Sequence, residues 1–112
     1  MSSVFTQIIN GKLPADIVHE DDQCIVIKDI HPQAPVHLLV IPRKPLLSLA
    51  EADDSDAALL GHLMLVARRV ANDAGIGHGF RLIANNGAAA GQTVDHLHFH
   101  ILGGRRYGEA NL

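Results

Sequence analysis

His96-Leu97-His98-Phe99-His100-Ile101-Leu102 alternates imidazole and apolar side chains without a break. On an extended strand successive side chains point to opposite faces, so the three histidines share one face while Leu97, Phe99 and Ile101 enter a core on the other. Same-face neighbours stand roughly 6 to 7 Å apart, close enough for three imidazoles to surround one small anion or one metal ion. A single histidine on a strand face is ordinarily a tolerated surface residue. Three in register point to a ligand.

Immediately before the ladder, Gly87-Ala88-Ala89-Ala90-Gly91-Gln92-Thr93 supplies small residues suited to a backbone-amide cradle for phosphate. Gln92 and Thr93 add side-chain donors, which aimed at phosphoryl oxygens stabilise the charge that builds up in a transition state. The plainer alternative is a tight turn whose glycines only satisfy geometry. A metal reading of the ladder has less support, because the N-terminal region offers only Cys24 and His19 and no Cys-x-x-Cys pair. Phosphorus chemistry is therefore the expectation, with no metal and no cofactor.

Outward from the ladder, residues 94–102 read as a fifth strand and 80–84 as a fourth. Leu59, Leu63, Val66 and Val70 form one stripe, flanked by Leu60, Ala67, Ala71 and Ala74, after an acidic run at residues 51–56 and before Gly75 and Gly77. That pattern predicts one long helix with Gly75 or Gly77 as its stop. Residues 36–41 form a buried strand closed by Pro42, and residues 17–19 and 24–28 a hairpin. Val4, Phe5, Ile8 and Ile9 recur at helical spacing before Gly11, and the tail after Gly103 looks irregular. The fold class is α+β: an antiparallel meander sheet of about five strands with one long and one short helix, in a single domain over residues 1–112.

A chain of 112 residues is long enough to bury a core without cross-links. Its net charge is −3 and its basic residues are scattered, so polymeric nucleic acid is not an expected partner. One cysteine allows no internal disulfide and points to a reducing compartment, with the cytoplasm as the expectation. The start carries no leader pattern, and no apolar run approaches the roughly 20 residues that span a bilayer, so no membrane is expected.

The ladder matches in full the His-φ-His-φ-His-φ-φ pattern of the histidine triad family, which the chain resembles over nearly its whole length. Residues 29–42, Asp-Ile-His-Pro-Gln-Ala-Pro-Val-His-Leu-Leu-Val-Ile-Pro, resemble the signature of the Hint branch, and Gly91-Gln92-Thr93-Val94 and Leu102-Gly103-Gly104-Arg105 add to it. This resemblance implies a purine nucleoside phosphoramidase with His98 as nucleophile, forming a covalent nucleotidyl-histidine that water hydrolyses. An imidazole with its ordinary pKa of about 6.5 is largely neutral near neutrality and can attack without prior deprotonation. His100 is implied as a contact to phosphoryl oxygen, with His96 and His37 as a polar network behind the nucleophile.

The same resemblance assigns Asn85, Gly91, Gln92 and Thr93 to phosphate or leaving-group contacts, and Asp29 with Ile30 to the ribose. It assigns Val4, Phe5, Ile8, Ile27 and Leu39 to an apolar base pocket. Thr93 stands where many relatives have Ser, Ile27 where an aromatic is common, and Asp95 where Tyr or Phe is frequent. Thr6 occupies the place of a zinc-binding cysteine of some relatives, so no structural zinc is implied. A homodimer is implied by resemblance alone. His100 favours hydrolysis over transfer, because the transferase relatives carry Gln there. Two alternatives stay open: a dinucleoside polyphosphate hydrolase, and a nucleotide-binding interaction module with little turnover.

Overall fold

The structure is a computed structural model that describes residues 3–110 and 112. Five antiparallel strands form one sheet in the order β1-β2-β3-β5-β4. They are β1 (Ile17–Glu20), β2 (Cys24–Lys28), β3 (Val36–Pro42), β4 (Phe80–Ile83) and β5 (Phe99–Gly103), with helices α1 (Val4–Ile9) and α2 (Ala57–Asp73). The α+β expectation holds. Its meander runs through β1, β2 and β3, after which α2 carries the chain across so that β5 lies between β3 and β4.

Each element has a local cause. Ser3 caps α1 by accepting the Thr6 amide, and Gly11, at φ 75°, releases the chain where the sequence placed a stop. Asp21 closes the β1-β2 turn by accepting the amides of Gln23 and Cys24 on one carboxylate oxygen. Asp53 and Asp56 form a reciprocal capping box in a 3-10 turn that leads into α2, and Gly75 at φ 80° follows its end.

The sheet separates two apolar clusters. On one face Leu63, Val66, Ala67, Val70 and Ala71 of α2 meet Val26, Leu38, Val40, Leu97, Phe99 and Ile101. On the other, Phe5 of α1 closes over Ile25, Ile27, Leu39 and Ile41. The alternation along β5 thus sends Leu97, Phe99 and Ile101 towards α2 and leaves the imidazoles on the α1 side.

One boundary is corrected. The strand expected over 94–102 begins only at Phe99, so of the three histidines only His100 lies within the ladder. Phe99 pairs with Val40, two residues before Pro42, which has no N–H to continue the pairing. Upstream, the His96 amide donates to Val94 and the Leu97 amide to Leu46, so this stretch is held by turn and loop bonds instead. Among the described residues, no helix is long and apolar enough to cross a membrane.

Candidate active site

His98 is nearly buried, and its Nδ1 lies 2.8 Å from the carbonyl oxygen of His96. A carbonyl only accepts, so Nδ1 holds the proton and the neutral ring keeps its lone pair on Nε2. Phe5 stands edge-on to the ring, with centroids 5.0 Å apart. Two residues back, the turn that presents this carbonyl is fixed by the His96 side chain, 1% exposed. Its Nε2 donates to the Pro42 carbonyl at 2.8 Å, and its Nδ1 faces the hydroxyls of Ser3 and Thr6 at 3.1 and 3.2 Å.

His37 and His100 form a second chain of bonds. The Gln33 amide donates to His37 Nδ1 at 3.0 Å, which leaves the proton of the neutral ring on Nε2. That Nε2 lies 2.9 Å from His100 Nδ1 and 3.4 Å from Asp29 Oδ2. His100 Nδ1 therefore accepts, and its own proton sits on Nε2, beside His98, with ring centroids 5.1 Å apart. The two rings are neighbours, one with its lone pair and the other with its proton on Nε2, and each tautomer is set by a partner outside the pair.

This arrangement corrects the expected network. His37 does not stand behind His98 with His96; it is bonded to His100, and His96 reaches His98 through its backbone carbonyl. Ser3, Gln33 and the Pro42 carbonyl were not legible as participants, although Ser3-x-x-Thr6 does place two hydroxyls at helix-neighbour spacing.

The small-residue loop spends several of its amides on itself. The amides of Ala90, Gly91 and Gln92 donate to carbonyls of the same loop, and that of Gly87 donates to the Gln92 side chain. Gln92 spends both side-chain donors on the carbonyls of Leu47 and Val94. It braces the loop, as does Asn85, whose Nδ2 donates to Ala90. Among the described residues the Thr93 hydroxyl makes no hydrogen bond, and the residue is exposed, so it remains an available donor.

Phe5, Ile8, Ile27 and Leu39 pack together on the imidazole face, whereas Val4 is 41% exposed and Ile30 83%. Asp29 Oδ1 accepts the His31 amide in a turn, leaving Oδ2 towards His37. A separate cleft of about 480 Å³, lined by Val18, Lys28, Pro35, Val70 and Ala74, touches Asp29 and His37 but not His98. The tail does carry an aromatic: the Tyr107 ring lies against both Arg81 and Arg105, each 4.5 Å from its centroid.

Residues 10–107 match the HIT domain, and the chain belongs to that family. It is 59% identical over 105 residues to an uncharacterized HIT-like protein of Synechocystis, covering 94% of this chain and 92% of the relative. A HIT family hydrolase from Clostridium thermocellum superposes with a TM-score of 0.96 at 47% identity, over 99% of this chain and 97% of that one. The histidine triad nucleotide-binding protein from Candida albicans gives 0.81 at 28% identity, over 99% and 87%.

Burial drives His100, His37 and His96 towards neutrality. It pushes His100 down to about 4, helped by the neighbouring His98 and His37. It lowers His37 against the pull of Asp29, and His96 against its bond to the Pro42 carbonyl. Below pH 6.5 the unfolded imidazole takes up a proton, whereas folded His100 does so only near 4. The unfolded chain binds more protons in that window, so stability falls as pH falls from 6.5 towards 4. The melting temperature should decline through this interval, and less steeply in His100→Gln; equal slopes in the two proteins would show that His100 is not held neutral.

Proposed function

We propose that this chain is a nucleotide hydrolase of the Hint type that cleaves the P–N bond of purine nucleoside phosphoramidates. The observation that carries the reading is the tautomer pair: His98 with its lone pair on Nε2 beside His100 with its proton on Nε2. In the first step His98 Nε2 bonds to phosphorus as the P–N bond breaks, and the amine leaves with that electron pair and takes up a proton from solvent, which the attacking water returns in the second step. His100 donates to a phosphoryl oxygen as charge builds there. Water then attacks the nucleotidyl-histidine, releasing the nucleoside monophosphate and restoring the ring.

Phe5, Ile8, Ile27 and Leu39, with Val4 at the margin, form the apolar surface for the purine, and Asp29 Oδ2 accepts from the ribose with Ile30 alongside. Thr93 contacts the phosphate or the leaving group. No metal or cofactor enters the chemistry. A homodimer belongs to the same reading and rests on family resemblance, and the cytoplasmic location rests on the single cysteine. What the Clostridium thermocellum and Candida albicans relatives are called, a hydrolase and a nucleotide-binding protein, agrees with it.

The test is turnover of adenosine 5′-phosphoramidate beside a diadenosine polyphosphate, with AMP affinity measured in parallel. Faster P–N cleavage is expected. Preference for the diadenosine compound would move the chain to the polyphosphate hydrolases, and AMP binding without turnover of either would make it a binding module.

A further inference from the structure

A second histidine cluster lies at the β1-β2 turn, apart from the site above. Asp21 Oδ2 is met by His19 Nε2 at 2.8 Å, by His62 Nε2 at 2.8 Å and by Cys24 Sγ at 3.5 Å. The donor atoms of His19, Asp21 and Cys24 all lie within 4.8 Å of one another. Asp21 Oδ1 is held by two backbone amides, so the carboxylate is fixed with Oδ2 turned to these side chains. Cys24 is fully buried and forms the floor, while the side chains of His19, Asp21 and His62, at 19, 23 and 28% exposure, form the mouth.

We propose that His19 Nε2, Asp21 Oδ2, Cys24 Sγ and His62 Nε2 form a binding site for one divalent cation of the zinc class. Two imidazoles, a thiolate and a carboxylate are the ligand types of a four-coordinate zinc site, and the sulfur and nitrogen donors disfavour calcium and magnesium. Bonds of about 2.0 to 2.3 Å set neighbouring ligand atoms roughly 3.3 to 3.8 Å apart, so His19, Asp21 and Cys24 need only small side-chain shifts to close on an ion, while His62, bonded to Asp21 but outside that grouping, must swing in as the fourth ligand.

The protons balance. Without a cation Cys24 is a thiol, pushed up to about 12 by burial and by the adjacent Asp21 charge. Burial also works against the Asp21 carboxylate, but its bonds from His19, Gln23, His62 and Cys24 outweigh this and hold it well below the usual carboxylate range. On binding, the thiol proton goes to solvent and each imidazole proton moves from Nε2 to Nδ1. The cation's two positive charges then face one thiolate and one carboxylate, and the group is neutral. The expectation of no metal took account only of Cys24 and His19; His62 comes from α2, far away in sequence, and Asp21 is read from sequence as an ordinary turn residue.

Cobalt titration of the metal-free full chain reads the site directly. Cys24 is the only cysteine, so a thiolate-to-cobalt charge-transfer band can arise nowhere else. Among the described residues the other grouping of possible ligands, Asp29, His37 and His100, holds no sulfur. One equivalent of Co²⁺ should give this band with a tetrahedral ligand-field spectrum, and Zn²⁺ should displace it and raise the melting temperature. His19→Ala and His62→Ala should each weaken Co²⁺ binding by about tenfold or more, with phosphoramidate turnover retained. Cys24→Ser should abolish the band; if that variant does not fold, the two histidine variants decide. Absence of the band at about tenfold excess Co²⁺, well above the one equivalent a four-ligand site takes, overturns the proposal, as does a band unchanged in both histidine variants.

Discussion

His98→Ala is expected to lower turnover of adenosine phosphoramidate by roughly 10⁴-fold or more, the scale on which deletion of an attacking group acts. No neighbour can take its place. His100 carries its proton on Nε2 and uses Nδ1 to accept from His37, so it has no free lone pair to offer. His96 keeps its lone pair on Nδ1, but that atom faces the hydroxyls of Ser3 and Thr6 inside a side chain 1% exposed. AMP affinity should survive, because the apolar surface and Asp29 are untouched. Stopping wild-type turnover in base, where a phosphorus-nitrogen bond to histidine persists, should reveal protein heavier by one nucleotidyl group. The variant should show none. Turnover in His98→Ala within about tenfold of wild type would be too small a loss for a missing nucleophile and would place the attacking atom elsewhere.

The periodicity of the chain reports which way side chains point, and there it was reliable. The stripe at Leu63, Val66 and Val70 does form the buried face of α2, and the residues between the histidines do reach that cluster. Periodicity is silent about where backbone amides bond. Leu97 points as a strand residue would, yet its amide goes to Leu46, and His96 is fixed by a carbonyl of β3. The swapped order of β5 and β4 escaped for a related reason, since the span of α2 lets the next strand land one place beyond its sequence neighbour. Gln92 misled because donor count alone does not say whether donors are already taken. His37 misled because its partner is set by the pairing of Leu39 with His100, a long-range contact no local pattern encodes.

That pairing makes His37 the more informative position for a second experiment. His37→Leu is expected to lower kcat by up to about 100-fold, towards the cost of losing one transition-state donor, with KM little changed. The reason is tautomeric. His37 Nε2–H is the donor to His100 Nδ1; without it the His100 proton is free to occupy Nδ1, and the nitrogen facing phosphate then presents a lone pair to an oxygen that repels it. The substitution also strands the Gln33 amide, so some loss of stability accompanies it and must be measured separately. His37→Gln separates the two effects. Its side-chain oxygen can accept the Gln33 amide and its NH₂ can donate to His100, so it should recover part of the lost kcat where Leu does not. Nitrogen-15 chemical shifts of His100 should report the Nε2–H form in wild type and a mixture in His37→Leu. Equal kcat in the Leu and Gln variants, with the His100 tautomer unchanged in both, would reduce His37 to a packing residue and leave His100 oriented by burial alone.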